Sequence, residues 1–193
     1  KAWVYEAGRP RIVVTREASD EQGRTHVVVR QEDPAGMGRI WPQKLSLLAI
    51  TSTSQTIHHL ELGSDAVVIP APAGDASAAM ILLPNASGIE YADFVLDPQS
   101  QNGLLRDIGS IEPPVARGAA WTTLWEEVQE GRLAAGLYLD TALRELPAEQ
   151  NELIINRVLG TLDESYWLRL DTQARLAVSG PLEAMLWREV EST

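Results

Sequence analysis

Pro113-Pro114-Val115-Ala116-Arg117-Gly118-Ala119-Ala120-Trp121 opens the stretch that decides the fold. It runs on through Leu124-Trp125, Gly131-Arg132-Leu133, Leu146-Pro147-Ala148-Glu149-Gln150-Asn151-Glu152 and Tyr166-Trp167 to Leu170. Its apolar residues recur at helical intervals, as in Val115, Ala119, Leu124 and Val128 and again in Leu153, Ile154, Val158 and Leu162. Stripes of this period let one helix pack on the next. A further amphipathic segment is expected from Leu176 to Val190. Breaks at Pro113-Pro114, Gly131, Leu146-Pro147 and Gly180-Pro181 divide the region into about five helices with short connections, as antiparallel neighbours need.

Upstream of Asp97 the period changes. Short β-branched runs at Arg11 to Arg16, Thr25 to Gln31, Lys44 to Thr51, Thr56 to Leu62, Ala66 to Ile69, Ala79 to Leu83 and Tyr91 to Leu96 read as strands. Turn formers separate them, among them Asp20-Glu21-Gln22-Gly23, Asp33-Pro34-Ala35-Gly36, Gly63-Ser64-Asp65, Pro70 to Asp75 and Asn85-Ala86-Ser87-Gly88. Seven short strands with no helix among them suggest a small antiparallel β-sandwich. The expected fold is therefore α+β in segregated domains: a β-sandwich over residues 1–97, then a HEAT/ARM-like antiparallel helix array over 98–193.

Composition narrows the function classes. The chain has 16 basic and 27 acidic residues, a net charge of −11, and 45% apolar residues. Nucleic acid and anionic membrane surfaces both select clustered Lys and Arg, so neither is an expected partner. No run of about 18 apolar residues suggests a membrane span. The absence of cysteine excludes disulfides, thiolate metal sites and a Cys nucleophile. The chain opens at Lys1 and reaches Trp3-Val4-Tyr5 at once, which reads as a segment of a longer protein, its helical array truncated at Thr193.

The succession of an Arg-x-x-x-Trp helix, here Arg117 to Trp121, and a Leu-x-x-Glu-x-x-Glu turn, here Leu146 to Glu152, resembles the C-terminal helical region of M1-family zinc aminopeptidases. The first half is similar to that family's β-sandwich: Trp3, Gly8, Pro10 and Arg11 to Thr15 match its opening. Gln31, Trp41-Pro42, Asn85 and Tyr91 to Leu96 match later landmarks. One departure is Tyr91-Ala92-Asp93-Phe94, where many members carry an aromatic-Arg pair. The family's zinc ligands and base come from a His-Glu-x-x-His helix with a further Glu downstream, and this sequence has neither. The resemblance thus implies a non-catalytic bridging and active-site-capping region, with no catalytic, cofactor or metal residue of its own. It implies zinc in a catalytic domain upstream of Lys1, that domain as an intramolecular partner, and peptides as the parent's substrates. A cytoplasmic location is expected, with a periplasmic or secreted parent the alternative.

The residues that suggest chemistry have plainer readings. His58 and His59 are neighbours in a strand, so they face opposite ways and cannot grip one metal. His59 and Glu61 share a face but make only two ligands. His26 reads as a strand histidine. Glu126, Glu127 and Glu130 are expected on a solvated helix face, and Glu149 and Glu152 as capping residues in the first turn of the next helix. Arg117 is expected to pair with Glu112 or with a carboxylate across the domain junction. Asn85-Ala86-Ser87 fits a glycosylation acceptor but equally a turn, and Gly36-Met37-Gly38 lacks the helix a phosphate loop needs. Two other functions compete. One is a stand-alone module binding carbohydrate or peptide through Trp3, Trp41 and Tyr91, and the other is a helical scaffold for a protein partner.

Overall fold

A computed structural model describes residues 7–17, 26–70 and 81–191. Trp3 and the turns expected at 20–23 and 71–75 lie outside these residues. Seven strands come first: β1 (Arg11–Glu17), β2 (His26–Glu32), β3 (Gln43–Ile50), β4 (Gln55–Leu62), β5 (Ala66–Pro70), β6 (Ile81–Leu83) and β7 (Asp93–Val95). Five α-helices follow: α1 (Pro98–Asp107), α2 (Pro114–Gln129), α3 (Ala135–Glu145), α4 (Glu152–Glu164) and α5 (Thr172–Glu191). The chain is therefore α+β, all strands before all helices. It forms two compact units, Lys1–Leu104 and Leu105–Thr193, and the dividing point falls inside α1.

In the first unit the strands make two sheets, ordered β5-β2-β1-β7 and β4-β3-β6. Alternation decides which side chains go inward. Ile12 and Val14 of β1, Val27 and Val29 of β2, Leu45, Leu47 and Ala49 of β3, Leu60 and Leu62 of β4, and Phe94 of β7 join one buried cluster, so both sheets contribute to a common core. The β3–β4 hairpin closes through the hydroxyl of Thr51, whose Oγ1 accepts from the backbone N–H of Thr53 (3.3 Å) and of Ser54 (3.1 Å). Most neighbours pair antiparallel, as expected, but β1 and β7 run parallel, with Arg11 opposite Asp93 and Val13 opposite Val95. Strand alternation reports which face is buried and says nothing of the direction of a partner 82 residues away.

Strand β3 is buried on both faces, because Ser46, Leu48 and Ile50 are covered as well as the core-facing residues. Gly103 of α1 lies so close to Ile81 of β6 that a Cβ there would stand 2.5 Å from Ile81 Cγ1. Only glycine lets the helix backbone approach that strand. The start of α1 is tied to the sheets through Ser100, which is fully buried. Its hydroxyl donates to Asp97 Oδ2 (2.5 Å) and accepts from the Leu82 backbone N–H (2.9 Å) and from Arg16 (3.0 Å). Asp97 also accepts from the backbone N–H groups of Gln99 and Ser100 (3.0 Å each) and pairs with Arg16. A carboxylate at this place satisfies N–H groups that the first helical turn leaves unpaired. These ties explain why the first unit extends to Leu104, beyond the change of periodicity at Asp97.

The second unit is helical. Its core gathers Leu124, Trp121 and Trp125 of α2, Tyr138 and Leu139 of α3, Val158 and Leu162 of α4, and Met185 of α5, all buried. Tyr138 stands edge-on to Trp121 (5.7 Å between centroids) and tilted to Trp125 (5.4 Å), geometries that aromatic quadrupoles favour. Helix α2 ends where Gly131 takes a positive φ of 74°, and the backbone N–H groups of Arg132 and Leu133 return to the carbonyl of Glu127. A glycine reaches this left-handed geometry without steric cost. Two sequence expectations change here. Gly180-Pro181 does not divide a helix, since Pro181 lies inside the continuous α5, where a proline removes one hydrogen-bond donor from the helical ladder without ending it. Helix α4 runs directly into a π-helical turn at Ser165–Arg169, which carries Tyr166 and Trp167.

Candidate functional site

The densest polar arrangement in the helical unit surrounds Arg117, on the first turns of α2. Its Nε donates to Glu149 Oε2 (2.7 Å) and its Nη2 to Glu149 Oε1 (2.9 Å), a two-pronged pair that suits the planar guanidinium. Its Nη1 donates to the carbonyl of Ile111 (2.6 Å). Glu149 further accepts from the backbone N–H groups of Gln150 (3.0 Å) and Asn151 (2.9 Å). The hydrogen bonds from Arg117 hold the Glu149 carboxyl below its ordinary range, against the opposing effect of burial. The same pairing raises the Arg117 pKa.

Sequence reasoning expected Arg117 to meet Glu112 or a carboxylate across the junction, and Glu149 to cap a helix. Arg117 instead bonds Glu149 within its own unit. The cap of α4 is Asn151, whose Oδ1 accepts from Leu153 and Ile154, with Glu152 in the first turn. Periodicity had no means of bringing Arg117 to a residue 32 positions later. The signal lay in the two motifs themselves, since an Arg in the first turns of α2 and a Glu just before α4 are natural partners when those two helices pack together.

Beside this pair is a cavity of about 210 Å³ lined by Gly109, Arg117, Trp121, Glu145, Ala148 and Glu149. Glu145 binds Arg144 (2.8 Å) and lies over Gly109, where a Cβ would come 2.5 Å from its Oε2. The strong hydrogen-bonding groups here are engaged with one another, and none is a nucleophile paired with a base. The arrangement can hold helix ends in register.

The remaining acids and histidines follow the same pattern. Glu127, expected on a solvated face, is 1% exposed and its carboxylate accepts from Arg132 Nε (3.0 Å). The tight turn after α2 folds Arg132 back over it, so the buried carboxylate keeps a partner. Glu130, Asp140 and Glu152 are exposed. On β4, His58 and His59 take opposite faces. His59 Nδ1 lies 3.4 Å from Ser46 Oγ, and Glu61 pairs with Lys44 (3.3 Å) at the surface. Among the described residues no three His, Asp or Glu side chains are placed to hold a metal.

The landmarks of the first unit meet in space. Gln31 Oε1 accepts from the Trp41 backbone N–H (2.6 Å), and Trp41 is completely buried. Arg39 stacks 4.8 Å over the Trp41 ring and binds Asp33, which also accepts from the backbone N–H groups of Ala35, Met37 and Arg39. The Gly36-Met37-Gly38 loop is thus wrapped around a carboxylate, and Arg39 above all holds the Asp33 carboxyl far below its usual range. Asn85-Ala86-Ser87 forms a turn in which Asn85 is 7% exposed, its carbonyl accepting from Gly88.

The second feature of the helical unit is apolar. A groove of about 430 Å³ is lined by Tyr166, Ser179, Leu182, Glu183, Leu186 and Trp187. Trp167 (61%) and Trp187 (59%) are exposed, in contrast to the buried Trp41, Trp121 and Trp125. Among the described residues no helix is long and apolar enough to cross a membrane.

No protein-family model and no curated protein matches the chain. Among solved structures, it is similar to Legionella pneumophila aminopeptidase A, crystallised in complex with aspartic acid. The TM-score is 0.51 at 12% sequence identity, over 97% of this chain and 24% of that one. The likeness is one of fold: nearly the whole of this chain has its architectural counterpart in about a quarter of an aminopeptidase.

Proposed function

We propose that this chain is a non-catalytic region of an M1-like zinc aminopeptidase. In this reading the seven-stranded unit is a β-sandwich that bridges to a catalytic domain, and the helical unit begins a HEAT-like array that caps the active site. The parent removes N-terminal residues from peptides, using zinc and acids supplied upstream of Lys1. The observation that carries the reading is the likeness of 97% of the chain to part of aminopeptidase A. The meeting of Arg117 with Glu149 and of Gln31 with Trp41 supports it, since these residues belong to the stretches that resemble the family. A carbohydrate module is less well supported, because Trp41, one of its three aromatics, is buried.

The test uses an antibody raised against the chain to isolate the native protein from its source. The precipitate is assayed with an aminoacyl reporter, with and without a chelator. Cleavage that the chelator abolishes, by a polypeptide well above 21.1 kDa, is the expected result, and the isolated chain should show none. A native polypeptide of 21.1 kDa without activity, or cleavage by the isolated chain, overturns the reading.

A further inference from the structure

We infer that the end of the sheet core where β2 passes to β3 binds an internal water, held as a hydrogen-bond acceptor by the side chains of Gln31, Trp41 and Gln43. Alternation turns both glutamines inward. Gln31 shares the parity of Val27 and Val29 on β2, and Gln43 that of Leu45 and Leu47 on β3, and these four apolar residues belong to the buried cluster between the sheets. The Gln31 carboxamide accepts the Trp41 backbone N–H through its oxygen (2.6 Å), which leaves its Nε2 to point elsewhere. Gln31 is 3% exposed and Trp41 is fully enclosed, with the Arg39 guanidinium lying over the indole ring.

The chemistry of the three groups selects the occupant. The Nε2 of Gln31, the Nε1 of Trp41 and the Nε2 of Gln43 are all enclosed, and none has an acceptor among the described residues. Each of these nitrogens only donates, so they cannot satisfy one another. Buried donors left without an acceptor are costly and rare in folded proteins. A water supplies the missing lone pairs with no charge to bury. An anion would carry its charge into an apolar core, and the Arg39 guanidinium over Trp41 is already committed to Asp33 (2.7 Å). The nitrogens are enclosed within the sheet unit, so the site does not depend on any surface of that unit being uncovered. The inference is independent of the peptidase reading.

Nuclear Overhauser spectroscopy of the nitrogen-labelled 193-residue chain tests it without any substitution. The Trp41 indole N–H and the carboxamide protons of Gln31 and Gln43 should show cross-peaks at the water frequency. Comparison of laboratory-frame and rotating-frame spectra separates a bound water from proton exchange. A folded chain without such cross-peaks overturns the inference. Saturable movement of the Trp41 indole resonance on titration with inorganic phosphate would place an anion there and overturn it equally. Gln43→Met gives a second reading by urea titration. With water in place the substitution removes a hydrogen bond and should lower the folding equilibrium constant about fivefold. An unchanged or raised constant would mean that the donor had no acceptor to lose, and the inference falls.

Discussion

The two units hold themselves together by opposite means. In the sheet unit the ties reach across the chain: Arg11 binds Asp93 and Arg16 binds Asp97, each spanning more than 80 residues. In the helical unit they span shorter stretches, reaching one or two helices along the chain. Arg117 to Glu149 spans 32 residues and Tyr138 to Thr161 spans 23. Sheets must gather strands from distant sequence, whereas consecutive helices pack on their neighbours. Damage to the sheet unit should therefore spread along its whole length, and damage to the helical unit should be concentrated where aromatic packing or a single ion pair joins successive helices.

The harshest way to break this contrast is truncation of the aromatic cluster. Tyr138→Ala should cost about 4 kcal/mol, because the ring fills the space between Trp121 and Trp125. Leu47→Ala in the sheet core should cost about 3 kcal/mol. Urea titration followed by tryptophan fluorescence measures both, and equal small losses would mean that neither core is close-packed. Next comes the ion pair. Arg117→Met leaves Glu149, 7% exposed, without its main partner and should cost about 3 kcal/mol, while Arg117→Met with Glu149→Leu should recover most of it. A double variant as unstable as the single one would show that the pair contributes through packing alone.

The units should also differ in their response to pH. Tyr138 is pushed up to about 12 by burial, despite its hydrogen bond to Thr161 (2.6 Å). A raised acid pKa stabilises fully below the ordinary value of 10.0 and is lost as pH climbs from there toward 12, so the helical unit should weaken in alkali. Tyr138→Phe should cost about 1 kcal/mol at neutral pH through the lost hydrogen bond and should flatten the alkaline loss. In the sheet unit, Asp33 is depressed chiefly by Arg39. Its stabilisation is present above the ordinary carboxylate range near 3.8 and is lost as pH falls through the lower folded value. Asp33→Asn should remove that acid sensitivity, as read from denaturation midpoints between about pH 2 and pH 5. The depressed Glu149 predicts an acid loss in the helical unit as well, so the sharper distinction lies on the alkaline side.

The sequence was most legible where burial follows a simple period. Alternation in Ile12, Val14, Val27 and Val29 marked two strands, and turn residues bounded them. The recurrence of Leu124, Val128, Val158 and Leu162 marked the helical faces, and these residues are buried, whereas Val115 and Leu153 at the starts of the same stripes are exposed. What escaped was pairing. The parallel partner of β1, the fork between Arg117 and Glu149, and the fold of Arg132 over Glu127 all depend on where the chain goes next. A periodic pattern records only inside and outside. For that reason Glu127 looked solvated: a carboxylate reads as surface until its partner is known. Trp167 and Trp187 show the converse, since both are exposed although size and apolarity mark a side chain for burial without saying what will cover it.

The parallel pairing of β1 with β7 also fixes an order of events. Residues 11–13 find their partners at residues 93–95, so on a ribosome the first strand has emerged long before its neighbour is made. Until then the Ile12 and Val14 edge can be met only by β2, and the sheet stays open on that side. Native closure waits for the Asp93–Val95 segment, and with it the long loop whose entropy slows folding of such topologies. The helices, which pack on near neighbours, carry no comparable wait.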